Sequence, residues 1–142
     1  MEQEYEDIAV FHGHRCPGLA MGYRMTKAAL AFLVEAGLAN EEIMAITENK
    51  NCSVDALLRL SGCTFEKGNL IFKDHDKMVF TLYNRLSQKG VRVLLNIRNV
   101  PEDTRKDRDS FIDWLLSVPD EDVVSVEEVN VDETERETST AE

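Results

Sequence analysis

Apolar and polar positions change their spacing several times along the 142 residues, and each change marks an element. Tyr5, Ile8 and Ala9 recur at helical spacing against Glu4, Glu6 and Asp7, which predicts a short amphipathic helix leading into Phe11 and His12. Residues 19–36 are rich in Ala, Leu and Met and almost unbroken in apolar character from Ala28 to Val34. With Pro17 before them and Gly37 after, they predict a long, largely buried helix. Arg24, Lys27 and Glu35 interrupt the run, so it does not read as a membrane span.

The next blocks are shorter. Residues 42–48 are apolar between polar flanks and predict a buried strand, with the turn Asn49-Lys50-Asn51 behind it. Residues 52–60 carry Val54, Leu57 and Leu58 at helical spacing, with Asn51 or Ser53 as the cap and Gly62 as the stop. Residues 69–73, 78–83 and 91–97 predict three strands, and the link from Asp74 to Lys77 reads as a hairpin turn. Pro101 is expected to open a helix that buries Phe111, Trp114, Leu115 and Val118 and ends at Pro119. Residues 123–131 supply one more strand, whose apolar phase shifts between Val124-x-Val126 and Val129-x-Val131, as a bulge would cause. From Asp132 onward no apolar face remains. The pattern therefore predicts four helices and about five strands in one α/β-type domain, residues 1–131, followed by a disordered acidic tail, residues 132–142.

Charge alters this picture little once it is located. The formal net charge is −11, but residues 120–142 hold ten acids and one base, whereas the preceding 119 residues hold 17 acids and 15 bases. The body is close to neutral, which argues against nucleic acid as a partner. The first residues are acidic and lack the basic and apolar regions of a signal peptide, and three cysteines suit a reducing compartment. A soluble cytoplasmic protein without a membrane partner is expected.

The candidate chemistry is concentrated in Phe11-His12-Gly13-His14-Arg15-Cys16-Pro17-Gly18. Pro17 and Gly13 disfavour a helix there, and in an extended run His12, His14 and Cys16 would share one face. Pro17 also places Cys16 at the start of the following helix, where free amides and the dipole favour a thiolate. Cys52 repeats that situation, and Cys63 follows the helix that Cys52 begins. Two imidazoles with one or two thiolates suit zinc, with ferrous iron and nickel as alternatives. Beside this stands the plainer reading of a turn with a buried cysteine, and of Cys52 and Cys63 as small buried apolar residues. Asp55, three residues after Cys52, is placed to orient a ligating histidine or accept a proton. Lys67 and Asn69 lie near a strand end, where a binding loop could use them. No Ser/His/Asp order, phosphate-binding glycine loop, dinucleotide fingerprint or Cys-x-x-Cys pair is present.

These residues, with Gly22-x-Arg24, Cys52-x-Val54-Asp55-Ala56, Gly62-Cys63-Thr64-x-x-Lys67-Gly68-Asn69-Leu70 and Asp74, resemble the FmdE family, which takes its name from a component of molybdenum formylmethanofuran dehydrogenase. The resemblance spans about residues 5–130 and implies an α+β, thioredoxin-like core with a five-stranded mixed sheet flanked by helices, commonly as a homodimer. It also implies a metal, zinc by preference, held by the His-x-His-x-Cys motif and the second cysteine. Some members carry a C-terminal zinc finger; this chain has no cysteine after Cys63. Glu66 and Asp76 stand where the family usually has glycine, which points to altered loops.

The expected function is thus a metal-binding protein using His12, His14, Cys16 and Cys52. It would act as an accessory component of a redox enzyme or as a small enzyme in which Cys16, Cys52 and Asp55 are the reactive groups and Cys63, Lys67 and Asn69 meet the substrate. Two alternatives remain open: metal-free thiol redox chemistry pairing Cys16 with Cys52 or Cys63, and a non-catalytic interaction protein.

Overall fold

A computed structural model describes residues 2–39 and 42–131. The tail expected to be disordered, residues 132–142, lies outside them. The chain opens with α1 (Glu2–His12), crosses a short loop and enters α2 (Pro17–Glu35). Strand β1 (Ile43–Thr47), helix α3 (Ser53–Ser61) and strand β2 (Leu70–Phe72) follow. The hairpin of β3 (Val79–Asn84) and β4 (Lys89–Leu95) leads through a 3-10 turn at Glu102–Lys106 to α4 (Arg108–Ser117). A second 3-10 turn at Asp120–Asp122 precedes β5 (Val124–Asn130).

The strands form one mixed sheet in the order β2-β1-β3-β4-β5. β1 and β2 run parallel, Ala45 opposite Leu70, with α3 as their crossover; the other pairings are antiparallel. This is the expected α+β class, a five-stranded mixed sheet with flanking helices. α2 lies across β3, β4 and β5 and packs against α3 and α4. The main core therefore sits between α2 and the sheet, where Leu19, Tyr23, Leu33, Phe80, Leu82, Val91, Ile112 and Leu115 are all fully buried. A smaller cluster of Met44, Ile46, Ile71, Tyr83 and Val131 occupies the opposite face.

Four details differ from the sequence-based expectation. His12 is not in an extended run: α1 continues to it, because Gly13, at φ 109, closes the helix only afterwards and donates its amide to Ala9 O at 2.8 Å. Residues 74–77 do not close a hairpin, since β1 lies between β2 and β3; Lys73 and Lys77 amides instead bond the Thr47 and Glu48 carbonyls at the end of β1. The helix after Pro101 is divided at Asp107, whose backbone is extended and whose carboxylate accepts from Ser110 N as the cap of α4. β5 has no bulge: it pairs residue for residue from Val124 opposite Leu95 to Asn130 opposite Lys89. The shift in apolar phase has another cause. Val124 joins the core under α2, while Val129 and Val131 pack on the other face.

Candidate metal centre

Cys16 is the N-cap of α2, with extended backbone at φ −153° and ψ 154°. Its sulfur accepts a hydrogen bond from Leu19 N at 3.3 Å. Its backbone is fixed by Tyr5, whose buried hydroxyl donates to Cys16 O at 3.1 Å and accepts from Cys16 N at 3.2 Å. Both polar groups of an otherwise buried residue are thereby satisfied. Burial first of all pushes the Tyr5 hydroxyl above its ordinary pKa, so it stays protonated and able to donate. Arg15 ties the same loop to two helices: Nε contacts both Glu6 oxygens at 3.0 and 3.1 Å, and its terminal nitrogens reach Asp109 and Asp113. Arg108 completes the brace by donating to Arg15 O at 2.6 Å.

Cys52 arrives from the other side, at the N-cap of α3. The turn before it is held by Asn51, whose side-chain oxygen accepts from Ser53 N at 2.9 Å and Ser53 Oγ at 2.6 Å. Gly18 and Gly22, one turn apart on α2, let the two helices come this close. A Cβ on Gly22 would lie 2.3 Å from Ser53 O, and one on Gly18 would lie 3.5 Å from Cys52 Cβ. Burial pushes the Cys52 thiol up, and the hydrogen-bonded thiol of Cys16 and the charge of Asp55 add to the shift.

The result is a cluster in which one donor atom from each of His12, His14, Cys16 and Cys52 lies within 4.8 Å of every other. Cys16 Sγ and His12 Nε2 are 3.9 Å apart, and the two imidazole rings are 4.6 Å apart between centroids. The other nitrogen of His12, Nδ1, is 2.5 Å from Asp55 Oδ2. That carboxylate favours the tautomer with the proton on Nδ1, leaving the Nε2 lone pair directed toward the sulfurs. A tetrahedral zinc ion, with bonds of about 2.3 Å to sulfur and about 2.0 Å to nitrogen, needs sulfur–nitrogen separations of about 3.6 Å. The cluster fits such an ion after a small contraction. Cys16 and Cys52 are also the sequence-predicted reactive thiols, and Asp55 lies beside them.

Cys63, Lys67 and Asn69 are not brought to this cluster. They lie beyond the opposite end of α3, a helix about 13 Å long. Cys63 is buried with its sulfur 3.7 Å from Ile43 O, and burial pushes its thiol up. Lys67 Nζ donates to Gly62 O at 3.1 Å, and Asn69 Oδ1 accepts from Thr64 N at 2.8 Å, so both organise their own loop. Asp76 has φ 53°, the left-handed region where glycine is at ease and aspartate tolerated. Sequence reasoning missed the roles of Tyr5 and Arg15. It also missed Glu48, a buried carboxylate paired with His75 at 2.8 Å and lying 3.9 Å from Arg92.

A small α+β domain with a four-donor His/Cys cluster between two helix starts is the class that fold and site define. The chain belongs to the FmdE family: the family model "FmdE, Molybdenum formylmethanofuran dehydrogenase operon" matches residues 11–125. A crystal structure of a tungsten formylmethanofuran dehydrogenase FmdE-like protein from Syntrophus aciditrophicus superposes with a TM-score of 0.67 at 27% identity, over 92% of this chain and 72% of that one. A probable S-adenosyl-L-methionine-binding protein of Archaeoglobus fulgidus is 42% identical over 94 residues, which are 63% of this chain but 26% of that protein. No helix among the described residues is long and apolar enough to cross a membrane.

Proposed function

We propose that the chain binds one divalent metal ion, zinc by the chemistry of its donors, through His12, His14, Cys16 and Cys52. The convergence of these four donor atoms within 4.8 Å of one another carries the reading, and the Asp55–His12 contact supports it. Two thiolates and two imidazoles favour zinc over the harder oxygen-seeking ions. Four protein donors close a tetrahedron, which suits a structural or accessory role. His14, the exposed member, is the donor most able to swing aside and open a position for substrate. When bound, the ion would supply Lewis acidity. Asp55 would hold the His12 ring and its Nδ1 proton, and Tyr5 would hold Cys16. The same proposal includes a homodimer and partners drawn from formylmethanofuran dehydrogenase-type redox systems. Val10 and Phe11, exposed beside the cluster, offer apolar surface to such a partner. S-adenosylmethionine binding stands in the name of a far longer relative, of which the matched region is 26%.

The test is metal analysis of anaerobically purified protein, followed by zinc and cobalt titration of the chelated form. One equivalent bound by the native chain and none by Cys16→Ala is expected. A chain that carries no metal and takes none up would remove the proposal. A second reading is favoured by one observation, that the Cys16 and Cys52 sulfurs lie within 4.8 Å of each other. Without metal, exchange with an added small-molecule disulfide, which takes up the two electrons and both thiol protons as it is reduced to two thiols, could join Cys16 Sγ to Cys52 Sγ, whereas Cys63 lies beyond the far end of α3 from them. Thiol titration with and without chelator distinguishes the two, because bound metal shields its cysteines until it is removed.

A further inference from the structure

β5 is the last strand of the sheet, and among the described residues no strand lies beyond it, so its outer hydrogen-bonding groups are open to pairing. A groove runs along its helix side, between β5 and α2. Near the start of the strand, Ala28, Ala31, Phe32, Val124 and Val126 line a volume of about 550 Å³. Near its end, Phe32, Leu38, Gly90 and Asn130 line about 570 Å³. Phe32 borders both, and both lie along β5, a strand about 23 Å long. Val124, Val126, Glu128 and Asn130 alternate along β5 and face this side. Val126 is 49% exposed there.

The rim is charged in one sense. Glu35, Glu121 and Glu128 line the two volumes against a single base, Lys89, while Asp120, also on the rim, is already paired with Arg24 at 2.6 Å. We propose that this groove receives an extended basic segment of a partner protein. The segment adds to β5 as a sixth strand, its small apolar side chains enter the two volumes, and its lysine or arginine side chains meet the acidic rim. Charge selects this occupant over the nearer ones. A second copy pairing β5 with β5 about Glu127 would set the two Glu127 side chains directly opposite each other and bring a second acidic rim beside the first. The chain's own end, residues 132–142, carries five acids and one base and would be repelled by the same rim. Glu127 is held on the other face by Arg92 at 3.0 Å and leaves the groove clear.

A fluorescent peptide with lysine and valine taking turns at every second position and threonine between them, so that both share one strand face, is titrated into the full chain by anisotropy to test this. Its control keeps the lysines and replaces every valine with glycine. The valine peptide should bind at least roughly tenfold more tightly than the control and slow amide exchange within residues 124–130. Val126→Lys and Ala31→Gln, both at exposed positions, should each weaken binding by roughly tenfold while leaving the melting temperature unchanged. The proposal is overturned by no binding, by equal binding of the two peptides, by variants that bind as the native chain does, or by slowed exchange confined to other strands.

Discussion

His12 is useful as a ligand only if its ring is fixed, and Asp55 is the group that fixes it, 2.5 Å from Nδ1 and 43 positions along the chain. Asp55→Ala should lower zinc affinity by about 10–100-fold while leaving the fold intact, read by competition against a chromophoric chelator. Tyr5 acts on Cys16 in the same indirect way. Tyr5→Phe leaves the buried Cys16 N–H without its partner, while Cys16 O keeps the Ala20 amide at 3.2 Å, and should cost about 1–3 kcal/mol in denaturant unfolding, with weaker zinc binding alongside. Only one of these roles could be read from the residues alone. Asp55 declares itself by standing three positions after a cysteine on a helix, whereas Tyr5 looks like any apolar position of an amphipathic helix. Its hydroxyl reaches Cys16 only because α1 packs against the start of α2, and side-chain spacing in the sequence carries no such information.

The helices bring the two halves of the site together, and Gly22 sets how closely. A Cβ there would meet backbone, Ser53 O at 2.3 Å, so α3 would have to move, and Cys52 with it. Gly22→Ala should therefore destabilise by about 1–3 kcal/mol and loosen metal binding as well. Gly18→Ala, whose Cβ would make an ordinary 3.5 Å contact with Cys52 Cβ, should leave both nearly unchanged. Melting temperature and zinc affinity of the pair check this, and equal behaviour of the two would show that the close approach is not what positions Cys52. Most element types were legible because α2, β1 and β3 are near-continuous apolar runs of helix or strand length and β4 alternates in apolar character. What was not legible were contacts made across the fold. β5 looked bulged because its valines serve two cores on opposite faces, and residues 74–77 looked like a hairpin because nothing local reveals that β1 lies between β2 and β3.

Across the whole molecule, the proposed ion would cross-link the end of α1, the cap of α2 and the start of α3, over a span from His12 to Cys52. The core between α2 and the sheet is extensive enough that the fold should survive without it. Metal then adds stability by mass action, about 2.7 kcal/mol at a hundredfold excess over Kd, or an upward shift of about 5–10 °C in melting temperature. pH makes the coupling visible. Burial and the neighbouring Cys16 thiol raise Cys52, and burial raises Cys63, so the metal-free fold favours both as neutral thiols. Their contribution is complete below the unfolded thiol value of about 8.5 and is lost as pH rises through the higher folded values, because the unfolded chain ionises first. With zinc bound, Cys52 is already a thiolate and its share of the loss disappears. Melting curves from about pH 7 to about pH 10, with zinc and with chelator, should therefore diverge as pH rises, the chelated protein falling further. Parallel curves would mean that Cys52 does not hold the metal.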